Sequence, residues 1–149
     1  MINYAKNRDK LKKFTENNRT FSLNNPNKKC FGYVKGESTA TDSGQKRCDY
    51  IICFEFGTDQ SPKKPNNYLF VELKGSDNEK AMAQIVSTIQ YLLQNGLAKD
   101  CQVECFIVSG SCPSVKTKDQ ILKAKFPFGK APYKYPLTFR TKFAEYQIK

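Results

Sequence analysis

Hydrophobic and polar positions alternate most regularly near the middle of the chain, where they predict a β-hairpin. From Arg47 to Gly57 the even positions are all apolar, and residues 68–74 form a second, mostly apolar run of strand length. Residues 58–67 include two prolines, which are typical of a loop, so the two strands are expected to run antiparallel. In the second strand Leu69, Val71 and Leu73 share one face, and Phe70, Glu72 and Lys74 share the other.

A helix and a buried strand are predicted after this hairpin. Ser76-Asp77-Asn78-Glu79 matches an S-x-x-E capping box, and Asn95-Gly96 is a typical helix end. Residues 102–109 form an apolar run, and the helical crossover before it is long enough for a parallel connection. The apolar positions of the helix fall on one side: Met82, Ile85, Val86, Ile89, Leu92 and Leu93.

The two ends of the chain have weaker patterns. Leu11 and Phe14 stand at helical spacing, so residues 3–17 are predicted to form a helix, and residues 28–35 a strand. Beyond residue 110 we expect a short helix near 118–125, then a short strand and a final helix. The predicted fold class is α/β, an α-β-β-β-α-β core with a mixed sheet flanked by helices. It forms one domain, 1–149, with its core at 28–109 and a basic, aromatic-rich extension at 110–149.

The composition excludes several classes of protein. The chain has 149 residues and no His, which rules out Ser-His and Cys-His catalysis and imidazole-based metal sites. No apolar run is long enough for a membrane span, and the N-terminus lacks the pattern of a signal peptide, so we expect a cytoplasmic protein without a membrane partner. None of the six cysteines forms a C-x-x-C pair, which favours buried reduced thiols.

Charge is distributed unevenly along the chain. Residues 1–35 and 116–149 each carry nine basic and two acidic side chains, whereas residues 36–115 carry seven basic and ten acidic ones. Basic ends around an acidic centre suit a protein whose ends bind a polyanion such as nucleic acid, while its centre binds a cation. A solvated charged surface explains the same blocks equally well.

Two carboxylates and a lysine are predicted to meet at one end of the sheet. Glu72 and Lys74 face the same way at the exit of their strand, and Asp49 opens the preceding strand. Because the start of one antiparallel strand lies beside the end of the next, Asp49 should approach Glu72. Such a cluster is costly unless a cation joins it, and carboxylate oxygens suit Mg²⁺ or Mn²⁺.

These residues resemble the motif of the PD-(D/E)XK nuclease superfamily, whose members have the restriction-endonuclease-like fold. The resemblance covers Arg47-Cys48-Asp49-Tyr50 and Val71-Glu72-Leu73-Lys74-Gly75, followed by the amphipathic helix and apolar strand. It implies that Asp49, Glu72 and the Leu73 carbonyl bind Mg²⁺, which Mn²⁺ can replace, and that Lys74 orients the attacking water. Cys48 stands where the family often has Pro.

Further residues are assigned weaker roles. The family often adds an acidic residue from its first helix or strand, for which Glu16 and Glu37 are both candidates, and some relatives place a Gln on the helix near the metal. Gln84 is the candidate for that position, or else an exposed helix residue. The aromatic residues of the tail either stack on bases or belong to the core. Candidate contacts to nucleic acid are Lys80, Lys123, Lys125, Lys130, Lys134 and Arg140.

The sequence therefore predicts a metal-dependent endonuclease that hydrolyses phosphodiester bonds, with DNA a more probable substrate than RNA. A homodimer or a partner protein would supply specificity, because the chain has little room for a separate recognition domain. The alternative is a catalytically inactive nucleic-acid-binding or assembly subunit that retains the nuclease fold. Metal-dependent cleavage distinguishes the two.

Overall fold

Strands outnumber helices in the part of the chain that the structure describes. The computed structural model describes residues 2–40, 44–55, 65–73, 78–110 and 135–149. The helices in this part of the chain are α1 (Asn78–Gln94) and a short 3₁₀-helix (Gly36–Thr39). The strands are β1 (Ala5–Asn7), β2 (Leu11–Glu16), β3 (Arg19–Asn24), β4 (Phe31–Lys35), β5 (Tyr50–Phe54), β6 (Asn67–Leu73), β7 (Gln102–Ser109), β8 (Leu137–Thr141) and β9 (Phe143–Gln147).

The predicted hairpin and crossover are confirmed. Strands β4, β5 and β6 form an antiparallel meander, and β7 runs parallel to β6 after the chain passes through α1. The strands lie in a mixed six-stranded sheet in the order β1-β4-β5-β6-β7-β8. The described part of the chain is therefore of the general α/β class that the sequence predicts.

The six-stranded sheet is covered on both faces, which explains why its central strands are apolar throughout. Ile51 and Cys53 of β5 pack on the side of α1, whereas Ile52 and Phe54 pack on the side of a second sheet, of order β2-β3-β9. Side chains alternate along a strand, so a strand buried on both faces needs apolar residues at every position. Cys48 departs from the predicted face: it precedes β5 and packs on the side of α1.

Helix α1 buries the predicted stripe and ends as predicted. Its buried positions include Met82, Ile85 and Ile89. Gly96 adopts a φ of +71°, and the amide of Leu97 donates to the Leu92 carbonyl at 2.8 Å. This is the bonding pattern of a Schellman helix end, which favours glycine because of the positive φ. The capping residue Ser76 lies outside the described residues.

The predicted N-terminal helix is wrong, because residues 5–7 and 11–16 form strands β1 and β2. Leu11 is 51% exposed, so it does not share a buried face with Phe14 as a helix would require. Asn17 and Asn18 both have positive φ, at 51° and 59°. Two such residues make a tight hairpin turn between β2 and β3, and asparagine tolerates this conformation better than most residues.

The predicted final helix is also wrong, because residues 143–147 form β9, which pairs in parallel with β3. The predicted helix near 118–125 lies outside the described residues. On the described part of the chain, the second face of the large sheet is covered by the small sheet rather than by a helix, which corrects the expectation of flanking helices. No helix in the described ranges is long and apolar enough to cross a membrane.

Candidate active site

Asp49 and Glu72 meet as predicted. The β5–β6 register pairs Tyr50 with Val71, which places Asp49 opposite Glu72 at the end of the hairpin. The Asp49 amide donates to Glu72 Oε1 at 3.0 Å, and the Leu73 amide donates to Asp49 Oδ2 at 2.7 Å. Each carboxylate thus accepts a hydrogen bond from the backbone beside the other, and charge-assisted bonds of this kind are stronger than neutral ones. We call Asp49 and Glu72 the carboxylate pair.

The two carboxylates differ in exposure. Glu72 is fully buried, whereas Asp49 is partly exposed and lines a cavity of about 450 Å³. The side chain of Leu73 is fully buried between the two sheets. Lys74, the predicted water-orienting residue, lies outside the described residues, so its role stays a prediction. The same holds for the Leu73 carbonyl as a metal ligand.

The cavity beside Asp49 also collects the accessory candidates. Glu16 comes from β2, Glu37 from the 3₁₀-helix, and Lys80 and Gln84 from α1. These four residues come from three separate elements, and the cavity is where those elements meet. We call this space the carboxylate cavity. Its lining consists of Glu16, Lys35, Glu37, Gly44, Gln45, Lys46, Arg47, Cys48, Asp49, Lys80 and Gln84.

Helix α1 fixes the backbone just before Asp49. The Cys48 amide donates to Thr88 Oγ1 at 2.8 Å, and the Thr88 hydroxyl donates to the Gln84 carbonyl at 2.7 Å. The Gln84 side chain donates from Nε2 to the Arg47 carbonyl at 3.1 Å. Two side chains, one helical turn apart, therefore hold residues 47–48 against the helix. Gln84 is half-buried, and its Oε1 accepts no hydrogen bond from the part of the chain that the structure describes.

The 3₁₀-helix holds the same segment from the other side. The Gly36 amide donates to the Asp49 carbonyl at 3.0 Å. A Cβ atom at Gly36 would lie 1.8 Å from the Cys48 carbonyl oxygen, so only glycine permits this approach. The backbone that carries Asp49 is therefore fixed by β6, α1 and the 3₁₀-helix together.

Arg47 is a cavity residue to which the sequence assigned no role. Its guanidinium lies 4.5 Å from the centre of the Tyr91 ring, and its Nε donates to Thr39 Oγ1 at 3.0 Å. A further bond joins Nη1 to Ser87 Oγ at 3.3 Å. These contacts hold a permanent positive charge at the cavity wall. The only feature of the sequence that could have indicated a role for Arg47 is its position two residues before Asp49.

Glu16 lies on the rim of the cavity between a lysine and a tyrosine. Lys35 Nζ is 3.5 Å from Glu16 Oε1, and the Tyr50 hydroxyl donates to the same oxygen at 3.2 Å. The ion pair is exposed and contributes little to stability. Burial, with the nearby Glu16 charge, raises the pKa of Tyr50 to about 12, so its hydroxyl stays protonated as a donor.

The donor set of the carboxylate pair fits a hard divalent cation. Among the described residues, no three His, Cys, Asp or Glu side chains group closely enough to hold a metal ion. Glu16 and Glu37 line the cavity without forming such a group with Asp49. Mg²⁺ needs fewer protein ligands, because one or two carboxylates together with water and substrate phosphate complete its octahedron. Asp49 and Glu72 would be those two carboxylates.

The residues predicted to contact nucleic acid do not lie together in the described part of the chain. Lys80 is exposed at the cavity, whereas Arg140 is exposed on β8, at the edge of the large sheet, and does not line the cavity. Tyr135 and Phe139 are buried in the core, so these two tail aromatics do not stack on bases. The other predicted contacts lie outside the described residues: Lys123, Lys125, Lys130 and Lys134.

The cysteines of the described residues are free thiols, most of them buried. Burial raises the pKa of Cys53 to about 12 and raises those of Cys48 and Cys105 well above the ordinary value. A thiol that stays protonated is a poor nucleophile. This agrees with the predicted role of these cysteines as small hydrophobic core residues. Cys112 lies outside the described residues.

Comparison with known proteins assigns this chain to no family. No protein-family model, curated protein or solved structure gives a significant match to this chain. The functional interpretation therefore depends on the geometry of the carboxylate cavity.

Proposed function

We propose that this chain is a metal-dependent nuclease of the PD-(D/E)XK type that hydrolyses phosphodiester bonds, in DNA rather than RNA. The observation that carries the proposal is the carboxylate pair: Asp49 and Glu72 joined through each other's backbone beside a cavity. The meander β4-β5-β6, helix α1 and parallel strand β7 supply the β-β-β-α-β part of the expected α-β-β-β-α-β core, whose first helix is replaced by strands β1 and β2. The small sheet over the second face departs from that pattern.

In this proposal the carboxylate pair binds the metal ion, and basic residues of the cavity contact the substrate. Asp49 and Glu72 hold Mg²⁺ or Mn²⁺, with the Leu73 carbonyl as a further ligand. The ion, when bound, polarises the phosphoryl oxygen and lowers the pKa of a water. Lys74, two residues after Glu72 in the sequence, orients that water. Arg47, Lys80 and Lys46 face the phosphate, where positive charge stabilises the charge that develops during hydrolysis.

The fixed backbone around Asp49 fits a catalytic site better than a solvated surface. Thr88, Gln84 and Gly36 hold residues 47–49 from two elements, so the Asp49 carboxylate does not reorganise when a substrate binds. Preorganised groups of this kind are the main source of electrostatic catalysis. Glu72 is fully buried and accepts a hydrogen bond from the Asp49 amide, and a cation bound beside it would further offset the cost of burying its charge.

The second candidate function is a catalytically inactive nucleic-acid-binding or assembly subunit. The absence of a three-ligand metal group among the described residues favours it. A binding subunit would use the cationic cavity wall and the net charge of +11 without cutting. A homodimer or partner protein remains a proposal under either function.

The test uses the full chain with supercoiled plasmid, single-stranded DNA and RNA, each with Mg²⁺, with Mn²⁺ and with EDTA. Wild type is compared with Asp49→Asn, Glu72→Gln and Lys74→Ala. Asp100→Asn is the matched control, because it neutralises an exposed carboxylate that lies outside the cavity. We expect metal-dependent cleavage that Asp49→Asn, Glu72→Gln and Lys74→Ala each lower at least about 100-fold, as removal of one transition-state contact does.

Two outcomes would contradict the nuclease proposal. Binding that weakens with salt, without cleavage in any metal, supports the inactive subunit instead. Cleavage that Glu72→Gln and Asp100→Asn affect equally would place the activity outside the carboxylate pair.

A further inference from the structure

A second groove opens beside the carboxylate cavity, between β2 of the small sheet and β4 of the large sheet. Its volume is about 500 Å³. Its charged lining residues are Lys12, Lys13 and Lys35, and none of the described residues that line it is Asp or Glu. Its aromatic lining residues are Phe14, Tyr33 and Tyr50. We call this space the lysine groove.

The lysine groove continues from the carboxylate cavity. Lys35 lines both, and Tyr50, which lines the groove, donates to Glu16, which lines the cavity. Strand β2 forms the shared wall. From Glu16 to Lys12 it spans four residues, or about 13 Å at the usual rise of a strand. Side chains alternate along a strand, so a ligand that leaves the cavity along the face of Glu16 passes Lys12, and Lys13, which starts on the other face of β2, also lines the groove.

The charge of the groove selects an anion. The carboxylate cavity has Glu16, Glu37 and Asp49 among its lining residues, so it attracts a cation and a phosphate together. The charged groups that the described residues contribute to the lysine groove are all ammonium groups, and Lys13 and Lys35 are exposed. A row of ammonium groups that leads away from a phosphodiesterase site matches the backbone of the strand being cut.

The aromatic lining favours an unpaired strand. Phe14 and Tyr50 are buried, but the ring of Tyr33 is partly exposed, and Lys12 Nζ lies 5.1 Å from its centre. Stacking of a base on an aromatic ring is stronger than an exposed cation–π contact, so a base can displace the ammonium group. The displaced Lys12 is then available to a phosphate. In a duplex the bases stack on each other and offer no face to Tyr33.

We propose that the lysine groove binds a single-stranded segment of the nucleic-acid substrate, with phosphates on Lys12, Lys13 and Lys35 and a base on Tyr33. This inference rests on the proposed nuclease function and adds a substrate class to it: a strand with a single-stranded arm next to the cleavage point.

The test measures binding and not cleavage. Fluorescence anisotropy without metal compares a labelled single-stranded oligothymidylate with a duplex of equal length, as salt is varied. Wild type is compared with Lys12→Ala/Lys13→Ala, Tyr33→Leu and Tyr33→Phe. Lys99→Ala is the charge control, because Lys99 is exposed in the connection after α1 and lines neither the groove nor the cavity.

We expect wild type to prefer the single strand. The double lysine variant should weaken single-strand binding about tenfold and lower the slope of log K against log salt by about 1.4, or 0.7 for each lost phosphate contact. Tyr33→Leu should weaken it at least about fivefold, whereas Tyr33→Phe and Lys99→Ala retain it. Should Tyr33→Leu fail to fold, the groove can still be tested through its charge. Lys13→Glu, at an exposed position, should weaken single-strand binding at least as much as the double lysine variant.

The proposal is overturned if wild type does not bind the single strand, if it prefers the duplex, or if the lysine variants bind as wild type does. The outcome is separable from that of the nuclease test. Cleavage that depends on Glu72 together with binding that ignores the groove would leave the nuclease standing and remove the groove. Single-strand binding that depends on the groove, without cleavage, would support the groove as a binding site and contradict the nuclease proposal.

Discussion

Replacement of Thr88 by valine tests how helix α1 holds the segment that carries Asp49. The Thr88 side chain is fully buried, and its hydroxyl accepts from the Cys48 amide at 2.8 Å. Valine keeps the shape of threonine but has a methyl group in place of the hydroxyl. The Cys48 amide, in a residue that is 1% exposed, then loses its acceptor directly beside Asp49.

The magnitude follows from the burial of that amide. A buried donor left without an acceptor costs about 1–3 kcal/mol. For a chain of this length each kcal/mol lowers Tm by about 2–4 °C, so Thr88→Val should lower Tm by about 2–12 °C. Thr88→Ser keeps the hydroxyl and loses one methyl group, at about 1 kcal/mol. Stability alone therefore separates the two variants poorly.

Hydrogen exchange of the Cys48 amide separates them. We expect slow exchange in wild type and in Thr88→Ser, and exchange at least about tenfold faster in Thr88→Val, beyond the change in its global stability. In the nuclease assay Thr88→Val should lose more activity than Thr88→Ser. If the Cys48 amide were equally protected in Thr88→Val and in wild type, the Thr88 hydroxyl would not be its acceptor in solution. The same conclusion would follow if Thr88→Val and Thr88→Ser lost protection of this amide to the same extent.

Three further predictions test the site and the core. Gly36→Ala should destabilise the fold by at least about 1–3 kcal/mol in thermal unfolding, because its Cβ would lie 1.8 Å from the Cys48 carbonyl oxygen; an unchanged Tm would contradict the tight approach. Mg²⁺ at ten times its Kd should stabilise wild type by about 1.4 kcal/mol, or about 3–6 °C, and leave Asp49→Asn unchanged; an equal shift in both would place the ion elsewhere. Maleimide at pH 8 should label Cys53 and Cys105 only in denaturant. Burial raises the pKa of both thiols, to about 12 for Cys53, so the reactive thiolate is scarce at pH 8 in the folded protein. Rapid labelling of the native protein would show instead that these thiols are accessible.

The centre of the fold could be predicted because its signals are local. Strand β6 is a short, mostly apolar run buried at all seven positions, and helix α1 buries a stripe with a period of 3.6 residues, so each signal is complete within one element. The carboxylate pair could be predicted for the same reason. A hairpin whose strands are known fixes which residues lie opposite each other, and Asp49 and Glu72 follow from that register.

The ends could not be predicted because their structure depends on distant partners. Strand β2 buries only Phe14 among its six residues, so its pattern is compatible with a helix. Its stability comes from pairing with β3 and from packing of Phe14 on Tyr50. Strand β9 likewise pairs with β3, more than a hundred residues earlier. The Asn17-Asn18 turn was the one local signal of the first hairpin.

The walls of the carboxylate cavity depend on the same long-range packing. Glu16 reaches the cavity because β2 lies on the large sheet, and Arg47 faces it because Thr39 and Tyr91 hold its guanidinium. Neither contact has a sequence spacing that would reveal it. The resemblance to a known motif named Glu16 and Glu37 together without choosing between them, and the structure places both on the cavity wall.

A crystal structure of the protein grown with Mn²⁺, with anomalous data collected at the manganese edge, would locate the metal ion that the proposed nuclease requires. If the carboxylate pair holds the ion, the map has one strong peak bound by oxygens of both Asp49 and Glu72, and crystals of Glu72→Gln grown in the same way lack it. An anomalous map without a peak between these two carboxylates, or with the ion held by other residues, would contradict that assignment.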